Sequence, residues 1–229
     1  MKIRMRGMIA GGAAAALLAG VGYAAVTWYR YGRIAQGKDG DELLDRFMPD
    51  CEVRERHEVR VAAPAAVTFA AARELELQRS PLIRGIFRAR ELLMAATAVR
   101  GRAPQRPFLD EVLSLGWRIL AEEPGREIII GAVTQPWQAD VVFRGIPADE
   151  FAAFDQAGYV KIAWTLATTP LGPRESVFRT ETRATATDPE SRARFRRYWT
   201  VVSPGIRLIR RETLRMVKRE AEARITGAE

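Results

Sequence analysis

The stretch DPESRARFRRYWTVVSPGIRLIRRETLRMV, residues 188–217, decides the fold of this chain. Asp188 precedes Pro189, a pairing typical of a helix N-cap followed by proline in the first turn. Residues that can be buried then recur every three or four positions, as on one face of a long helix: Phe195, Trp199, Val202, Ile206, Ile209, Thr213 and Met216. The pair Pro204-Gly205 lies inside this pattern and predicts a kink or a break there.

The sequence before this helix predicts strands with one buried face. In residues 51–61 (CEVRERHEVRV) the odd positions share one face and the mostly charged even positions share the other. Two hairpins are predicted, within residues 113–134 and 159–187, and two helices begin near Pro64 and Ser80. The last helix can cover one face of such a sheet. We therefore expect an α+β domain with an antiparallel sheet.

The beginning of the chain resembles a membrane anchor. Residues 8–28 carry no charge, and a helix of that length reaches about 30 Å, enough to span a bilayer core. Trp28, Tyr29, Arg30 and Arg33 end this run, and we predict that they face the membrane surface. A cleaved signal peptide ending near Tyr23 is the alternative.

These patterns divide the chain into a basic flank and single-pass anchor (1–36), a polar linker (37–50) and one domain (51–226). The charges around the anchor slightly favour a domain outside the cytoplasm.

The formal net charge of +8 does not predict nucleic-acid binding. Residues 1–38 hold six basic residues and no acidic ones, which leaves 30 basic and 28 acidic residues in the rest. There is no zinc-finger spacing and no arginine-rich helix that also carries base-reading polar residues. Residues 192–224 do hold eleven basic residues against three acidic ones. They predict either a face that docks a membrane or a partner, or a solvated helix face paired with acids of the sheet.

Cys51 and His57 are the only residues of their kinds, so neither an internal disulfide nor a Cys/His metal cluster is possible. Phosphate-binding glycine loops and the Gly-x-Ser-x-Gly motif are absent, so we predict no cofactor and no metal. Glu55 and His57 lie two apart on the inner strand face and are the candidate catalytic pair. The alternative is a hydrogen-bonded structural histidine.

The order of strand, two helices, further antiparallel strands and long last helix resembles the START/Bet v 1-like superfamily, also called the SRPBCC or polyketide cyclase/dehydrase group. The resemblance covers about residues 50–225. It is carried by residues 59–67 (VRVAAPAAV), residues 125–131 (GREIIIG) and the helix around 195–209. It implies a helix-grip fold with a cavity between sheet and last helix, which in this superfamily usually holds a hydrophobic molecule. No catalytic motif is shared across the superfamily.

Our preferred hypothesis is a membrane-anchored domain that binds a small hydrophobic molecule, lipid-like or polyketide-like. The predicted pocket residues are aromatic, as apolar ligand sites often are: Trp137, Tyr159, Trp164, Phe178 and Trp199. One alternative is a cyclase or dehydratase that uses the same cavity. The other is an interaction module that docks the membrane or a partner through the basic last helix.

Overall fold

The computed structural model describes residues 19–33, 40–93 and 106–227. The helices are α1 (19–30), α2 (Glu42–Asp45), α3 (Ala65–Glu74), α4 (Pro81–Leu93), α5 (Phe108–Ser114), α6 (Ala148–Phe151) and α7 (Pro189–Thr226). A 3-10 turn covers Leu77–Arg79. The strands are β1 (Val53–Val61), β2 (Arg118–Glu123), β3 (Glu127–Thr134), β4 (Phe143–Arg144), β5 (Val160–Gly172) and β6 (Glu175–Ala186).

The strands form one antiparallel sheet in the order β1-β6-β5-β3-β2, with β4 paired to β3. The long β5–β6 hairpin is its centre, and β1 lies at one edge. With the long last helix, this sheet confirms the α+β class and is consistent with the predicted helix-grip fold. The first predicted hairpin begins later than expected, because residues 108–114 form α5.

Helix α7 covers the inner face of the sheet. The Asp188 side chain accepts hydrogen bonds from the backbone N–H groups of Glu190 and Ser191, which caps the helix as predicted. Phe195 and Trp199 are buried against one end of the sheet, and Leu214 and Val217 against the other. The core on this face therefore consists of two apolar clusters at opposite ends of the α7 contact.

Of the kink or break predicted at Pro204-Gly205, the break does not occur, because α7 continues through this pair to Thr226. Proline at this position lacks the N–H that would bond the carbonyl of residue 200. The helix is held onto the sheet on both sides of this defect, by Trp199 before it and Leu214 after it. Packing on both sides explains why one missing hydrogen bond does not end the helix.

The outer face of the sheet is also covered. Residues 40–50, within the stretch predicted as a linker, place Leu44, Phe47 and Met48 in a buried cluster with Ile129 and Val133 of β3. The neighbouring residues Ile128 and Ile130 face the α7 side instead. Strand β3 is thus buried on both faces. The apolar side chains of residues 40–50 explain why this segment packs on the sheet.

A layer of paired charges lies between residues 40–50 and the sheet. Arg183 is almost fully buried and donates to Asp45 at 2.5 Å and to Glu181 at 2.8 Å. Arg179 donates to Asp41 at 2.9 Å and contacts Glu127 at 3.4 Å. Each buried charge has an opposite charge beside it, which offsets the cost of removing it from water. The charged side of β6 is therefore enclosed, although its sequence resembles a solvent-facing strand.

Only part of the predicted anchor can be described, since residues 8–18 lie outside the described residues. Within the described ranges, no helix is both long and apolar enough to cross a bilayer. Helix α1 lies along α7, where the Tyr23 hydroxyl is 3.0 Å from Ser203 Oγ and Arg196 donates to the carbonyl of Trp28. The end of the anchor segment therefore packs against the domain.

Replacing Glu127 with glutamine is expected to flatten the pH dependence of stability. Burial, and then the neighbouring Asp41 carboxyl, raise the pKa of Glu127 to about 7, against the opposing effects of Thr165 and Arg179. Because the native state binds the Glu127 proton more tightly than the unfolded chain does, this proton stabilises the native state. The stabilisation is complete below the pKa of Glu127 in the unfolded chain and is lost as the pH rises through about 7. Between about pH 5 and pH 8, the wild type should lose unfolding free energy relative to E127Q in urea titrations. E123Q, at a half-exposed site nearby, is the control, and parallel profiles for the wild type and E127Q would contradict the assignment.

Candidate ligand groove between α1, β1 and α7

An open groove of about 750 Å³ lies between α1, β1 and the first half of α7. Its wall on the α7 side includes Trp199 and Arg207, and Val53 and Glu55 contribute from β1. The remaining lining residues come from the N-terminal part of the chain and from the same strand: Tyr23, Val26, Thr27, Arg30, Tyr31, Arg33, Glu52, Arg54, Arg56 and Glu58. Because β1 is an edge strand, this side of the sheet is accessible.

The end of α1 is fixed to the start of β1 by Glu52. The Tyr31 hydroxyl donates to the Glu52 carboxylate at 2.5 Å, and the Gly32 N–H donates to the Glu52 carbonyl at 2.9 Å. Gly32 has φ +73°, a left-handed conformation that glycine adopts most easily and that commonly follows a helix end. These contacts hold α1 across the edge of the sheet and so form one wall of the groove.

The groove has an apolar part and a cationic part. Val26, Val53 and Trp199 supply apolar surface, while five arginines and three glutamates supply the charged groups. Arg54 and Arg56 are committed to ion pairs with the buried Glu181. Arg30 makes no ion pair within the described residues, so the groove keeps a positive balance near the end of α1. Such a lining suits a molecule with an apolar body and a polar end.

Next to the groove, four polar side chains form a square on the inner sheet face. Glu55 is the cross-strand neighbour of Thr182, and His57 is the neighbour of Thr180. Two arginines of α7 lie over this square. Arg207 binds Glu55 through Nε at 2.9 Å and Nη2 at 2.5 Å.

Arg210, one helical turn further along, donates to the Thr180 hydroxyl at 3.3 Å and also to Thr182. Its Nε atom is buried and has no hydrogen-bond partner in the described structure. Burial lowers the pKa of Arg210 to about 10, and the charge of Glu55 only partly opposes this. The guanidinium is still protonated at neutral pH, so it brings a positive charge into the interface without a carboxylate of its own.

His57 is set up as a neutral imidazole. Burial, and then the charge of Arg210, lower the pKa of His57 below its usual value. Its Nδ1 atom is buried and has no hydrogen-bond partner among the described residues. The predicted catalytic candidates Glu55 and His57 do share the inner face, but Glu55 accepts from Arg207 and leaves His57 Nδ1 unpaired.

The five aromatic residues predicted as a pocket are distributed over three clusters. Trp164 and Phe178 lie in the core cluster near α3 and α5, where the Trp164 ring is 5.3 Å from that of Phe108. Trp199 is buried at the start of α7, and Trp137 packs at the margin of the same cluster. Tyr159 packs on the outer side of the sheet against Phe154. Of these five, only Trp199 lines the groove.

Arg207 and Arg210 were not among the predicted site residues, although the sequence carries a signal for them. Arg207 follows Ile206 and Arg210 follows Ile209, so the two arginines are three residues apart, as the two isoleucines are. Arginines beside the buried stripe are positioned to reach the sheet, unlike Arg211 and Arg215, which are exposed.

The residues predicted to face the membrane lie at the end of α1 and just after it. Trp28 and Tyr29 are exposed, and a guanidinium lies over each ring. Arg196 is 4.0 Å from the centroid of the Trp28 ring, and Arg33 is 3.9 Å from the centroid of the Tyr29 ring.

In α7, seven of the eleven basic residues between 192 and 224 are within ion-pair distance of an acid. Within the described residues, no group of three potential metal ligands occurs.

Breaking the Glu55–Arg207 ion pair is expected to destabilise the domain. E55Q leaves two arginines over the polar square without a carboxylate, which should lower the unfolding free energy by roughly 1–3 kcal/mol. The double variant E55Q/R207Q should recover part of this loss. E58Q, on the outward side of the same strand, should change stability by less than about 0.5 kcal/mol. If E55Q and E58Q behave alike in urea denaturation, Glu55 does not stabilise the cluster.

A scan against protein-family models and a search of curated proteins both found no match. Among solved structures, norcoclaurine synthase from Thalictrum flavum aligns at 14% identity and TM-score 0.34, over 84% of this chain and 96% of that chain. A START superfamily protein from Mycobacterium smegmatis aligns at 15% identity and TM-score 0.27, over 77% and 99%. A conserved protein from Geobacillus kaustophilus aligns at 10% identity and TM-score 0.34, over 74% and 95%. The structural neighbours thus include START and Bet v 1-like proteins, but similarities this low carry no argument about the chemistry of this chain.

Proposed function

We propose that this chain is a membrane-associated domain that binds a small amphipathic molecule in the groove between α1, β1 and α7. The observation that carries the proposal is the lining of the groove, which places Val26, Val53 and Trp199 beside a cationic stretch. A volume of about 750 Å³ falls within the range of about 300–1,000 Å³ typical of small-molecule sites. The apolar body of a ligand would contact Val26, Val53 and Trp199 while its polar end faces the arginines.

The membrane part of this proposal is supported by an apolar surface on three helices. Nine of the twelve exposed large apolar residues in the described parts of the chain lie on α1, α4 and α7: Val21, Val26, Trp28, Tyr29, Leu82, Phe87, Leu92, Val201 and Leu208. Tyr23 joins α1 to α7 at Ser203, and Ile86 of α4 lies against Gly205. Concentrated exposed apolar surface marks an interaction site, and the exposed Arg84 and Arg88 on α4 suit lipid headgroups.

The length of the N-terminal apolar segment bears on how the chain meets the bilayer. Because α1 packs on α7 from Tyr23 onward, fifteen of the uncharged residues, Met8–Gly22, precede the packed part. A helix of that length would reach about 22 Å, short of the roughly 30 Å bilayer core. Insertion of this segment from one side of the bilayer is compatible with packed α1, whereas a single-pass anchor requires α1 to leave α7. The single-pass anchor and the side of the membrane stay predictions.

The two alternative functions have less support. For a cyclase or dehydratase, Glu55 and His57 would need to act together, but Glu55 is bound by Arg207. For docking through the basic last helix, most of its cations would need to be available, and seven of eleven are close to acids. Ligand binding in the groove requires neither a free Glu55 nor unpaired cations on α7.

Narrowing the groove should remove its ligand. The full chain, extracted from membranes in a mild detergent and examined by native mass spectrometry, is expected to carry a discrete small molecule. V26W places a bulky ring at the groove and should reduce the bound fraction. V142W introduces the same ring at an exposed site outside the groove and should leave it unchanged. A wild type without bound molecule, or equal occupancy in both variants, would contradict the proposal.

Membrane contact through the three-helix surface should protect α4. Adding phosphatidylcholine/phosphatidylglycerol vesicles to the full chain is expected to slow hydrogen exchange in residues 82–92, because the amphipathic helix would enter the headgroup region. The β2–β3 turn at 124–126 should exchange at its original rate. L82D/F87D should lose the protection, while L115D/V142D, which alters exposed apolar residues elsewhere, should keep it. Unchanged exchange in α4 would rule out this surface.

A further inference from the structure

Among the described residues, the guanidinium of Arg210 has no hydrogen bond to a carboxylate. The polar square and its two arginines contain one carboxylate, Glu55, and Arg207 holds it at 2.5 Å. Arg210 is left with the hydroxyls of Thr180 and Thr182, and its buried Nε has no partner in the part of the chain that the structure describes. With neutral His57, the cluster therefore has one uncompensated positive charge.

Such an arrangement costs stability in the unliganded protein. Burying a charge without its counter-charge is unfavourable by several kcal/mol in general, and neutral hydroxyl partners recover only part of that. An apolar residue of similar volume would avoid the cost. An anion that pairs with Arg210 during function would explain why an arginine occupies this position.

The surrounding groups match an anionic oxygen group. The planar guanidinium of Arg210 can bind a carboxylate or phosphate through two N–H groups. The Thr180 and Thr182 hydroxyls accept from Arg210, so their own protons remain available to donate. His57 Nδ1 has no partner within residues 19–33, 40–93 and 106–227, and it can donate in the tautomer that carries its proton there.

The square adjoins the groove at the Glu55–Arg207 pair. Glu55 and Arg207 line the groove and also form part of the cluster. His57 follows Glu55 on the same strand face, and Arg210 follows Arg207 by about one helical turn. A molecule in the groove therefore needs to move only past the Glu55–Arg207 pair to bring its polar end to Arg210.

We propose that Arg210, with Thr180, Thr182 and His57, binds an anionic group, a carboxylate or a phosphate, of the molecule held in the groove. This inference rests on the proposed function and adds the chemical class of its ligand. The polar end of the ligand supplies the counter-charge that the protein lacks, and its apolar body stays between α1 and Trp199. Neutral amphiphiles of equal size fit the groove but leave Arg210 unpaired.

The test compares matched probes with the full chain at one fixed concentration of nonionic detergent. Octanoate and octyl phosphate are the anionic amphiphiles, octanol is the neutral one, and inorganic phosphate is the free anion. The two anionic amphiphiles should raise the thermal midpoint more than octanol, since at equal concentration the ligand that binds the native state more tightly stabilises it more. Inorganic phosphate alone should have little effect, because it lacks the apolar body.

Two variants connect this preference to Arg210. R210M should bind octyl phosphate about 10- to 100-fold more weakly in calorimetric titrations, with an unliganded thermal midpoint equal to or above that of the wild type. R211M removes a charge at the next, exposed position and should bind like the wild type. If R210M does not fold, T182V keeps the arginine, removes one hydroxyl, and should weaken octyl phosphate binding about five-fold.

The outcomes separate the two proposals. If octanol stabilises the wild type as much as octanoate does, the anionic site is wrong and the groove remains a ligand site. If none of the octyl compounds binds, both proposals fail. If inorganic phosphate alone gives the full effect, the link between Arg210 and the groove ligand is overturned. If R211M and R210M lose binding equally, the effect is one of net charge and the assigned site is wrong.

Discussion

Most of the structure depends on the contact between α7 and the inner face of the sheet. At its two ends this contact is apolar, with Phe195 and Trp199 near the start of the helix and Leu214 and Val217 near its end. Between them, α7 crosses a polar strip where Arg207 and Arg210 meet Glu55, Thr180 and Thr182. The apolar ends stabilise the interface strongly enough to hold this polar centre, which by itself would favour separation into water.

The outer face of the sheet constrains the same region from the other side. Leu44 and Met48 bring residues 40–50 onto the sheet, and the charges of Asp41 and Asp45 pair with Arg179 and Arg183 below them. The chain then enters β1, where Glu52 binds Tyr31 and Gly32 just after α1. The covered outer face and the contacts of α1 with α7 and Glu52 thus fix the start of β1, and the groove lies beside it. Ligand binding, helix packing and membrane contact would all involve the same edge of the sheet.

The sequence was sufficient for the fold class because its strongest signals are local. The Asp188 cap, the alternation in residues 51–61 and the apolar stripe of α7 each follow from neighbouring residues, and the structure contains all three elements. The pattern also placed Glu55 and His57 on the inner face. Strand periodicity defines a face but not how deeply each residue lies in it, so the five aromatic residues could not be assigned to one pocket. They lie in separate clusters because the cores at the two ends of α7, and the outer face, each require large side chains.

The groove and its polar square could not be derived from local patterns. They depend on α1 packing against α7, a contact between residues about 180 positions apart in the chain. Likewise, residues 179, 181 and 183 resemble an exposed strand face, and only the tertiary structure shows that residues 40–50 cover it. Arg210 became a candidate because its hydrogen-bond partners are hydroxyls, which a sequence pattern does not reveal.

A crystal structure of the full chain grown from a lipid phase would test the central claim most directly. The groove ligand is expected as continuous density beside Trp199, with its polar end within hydrogen-bond distance of Arg210. An empty groove, or density beside Trp199 whose polar end lies far from an Arg210 still paired only with the two threonines, would contradict it.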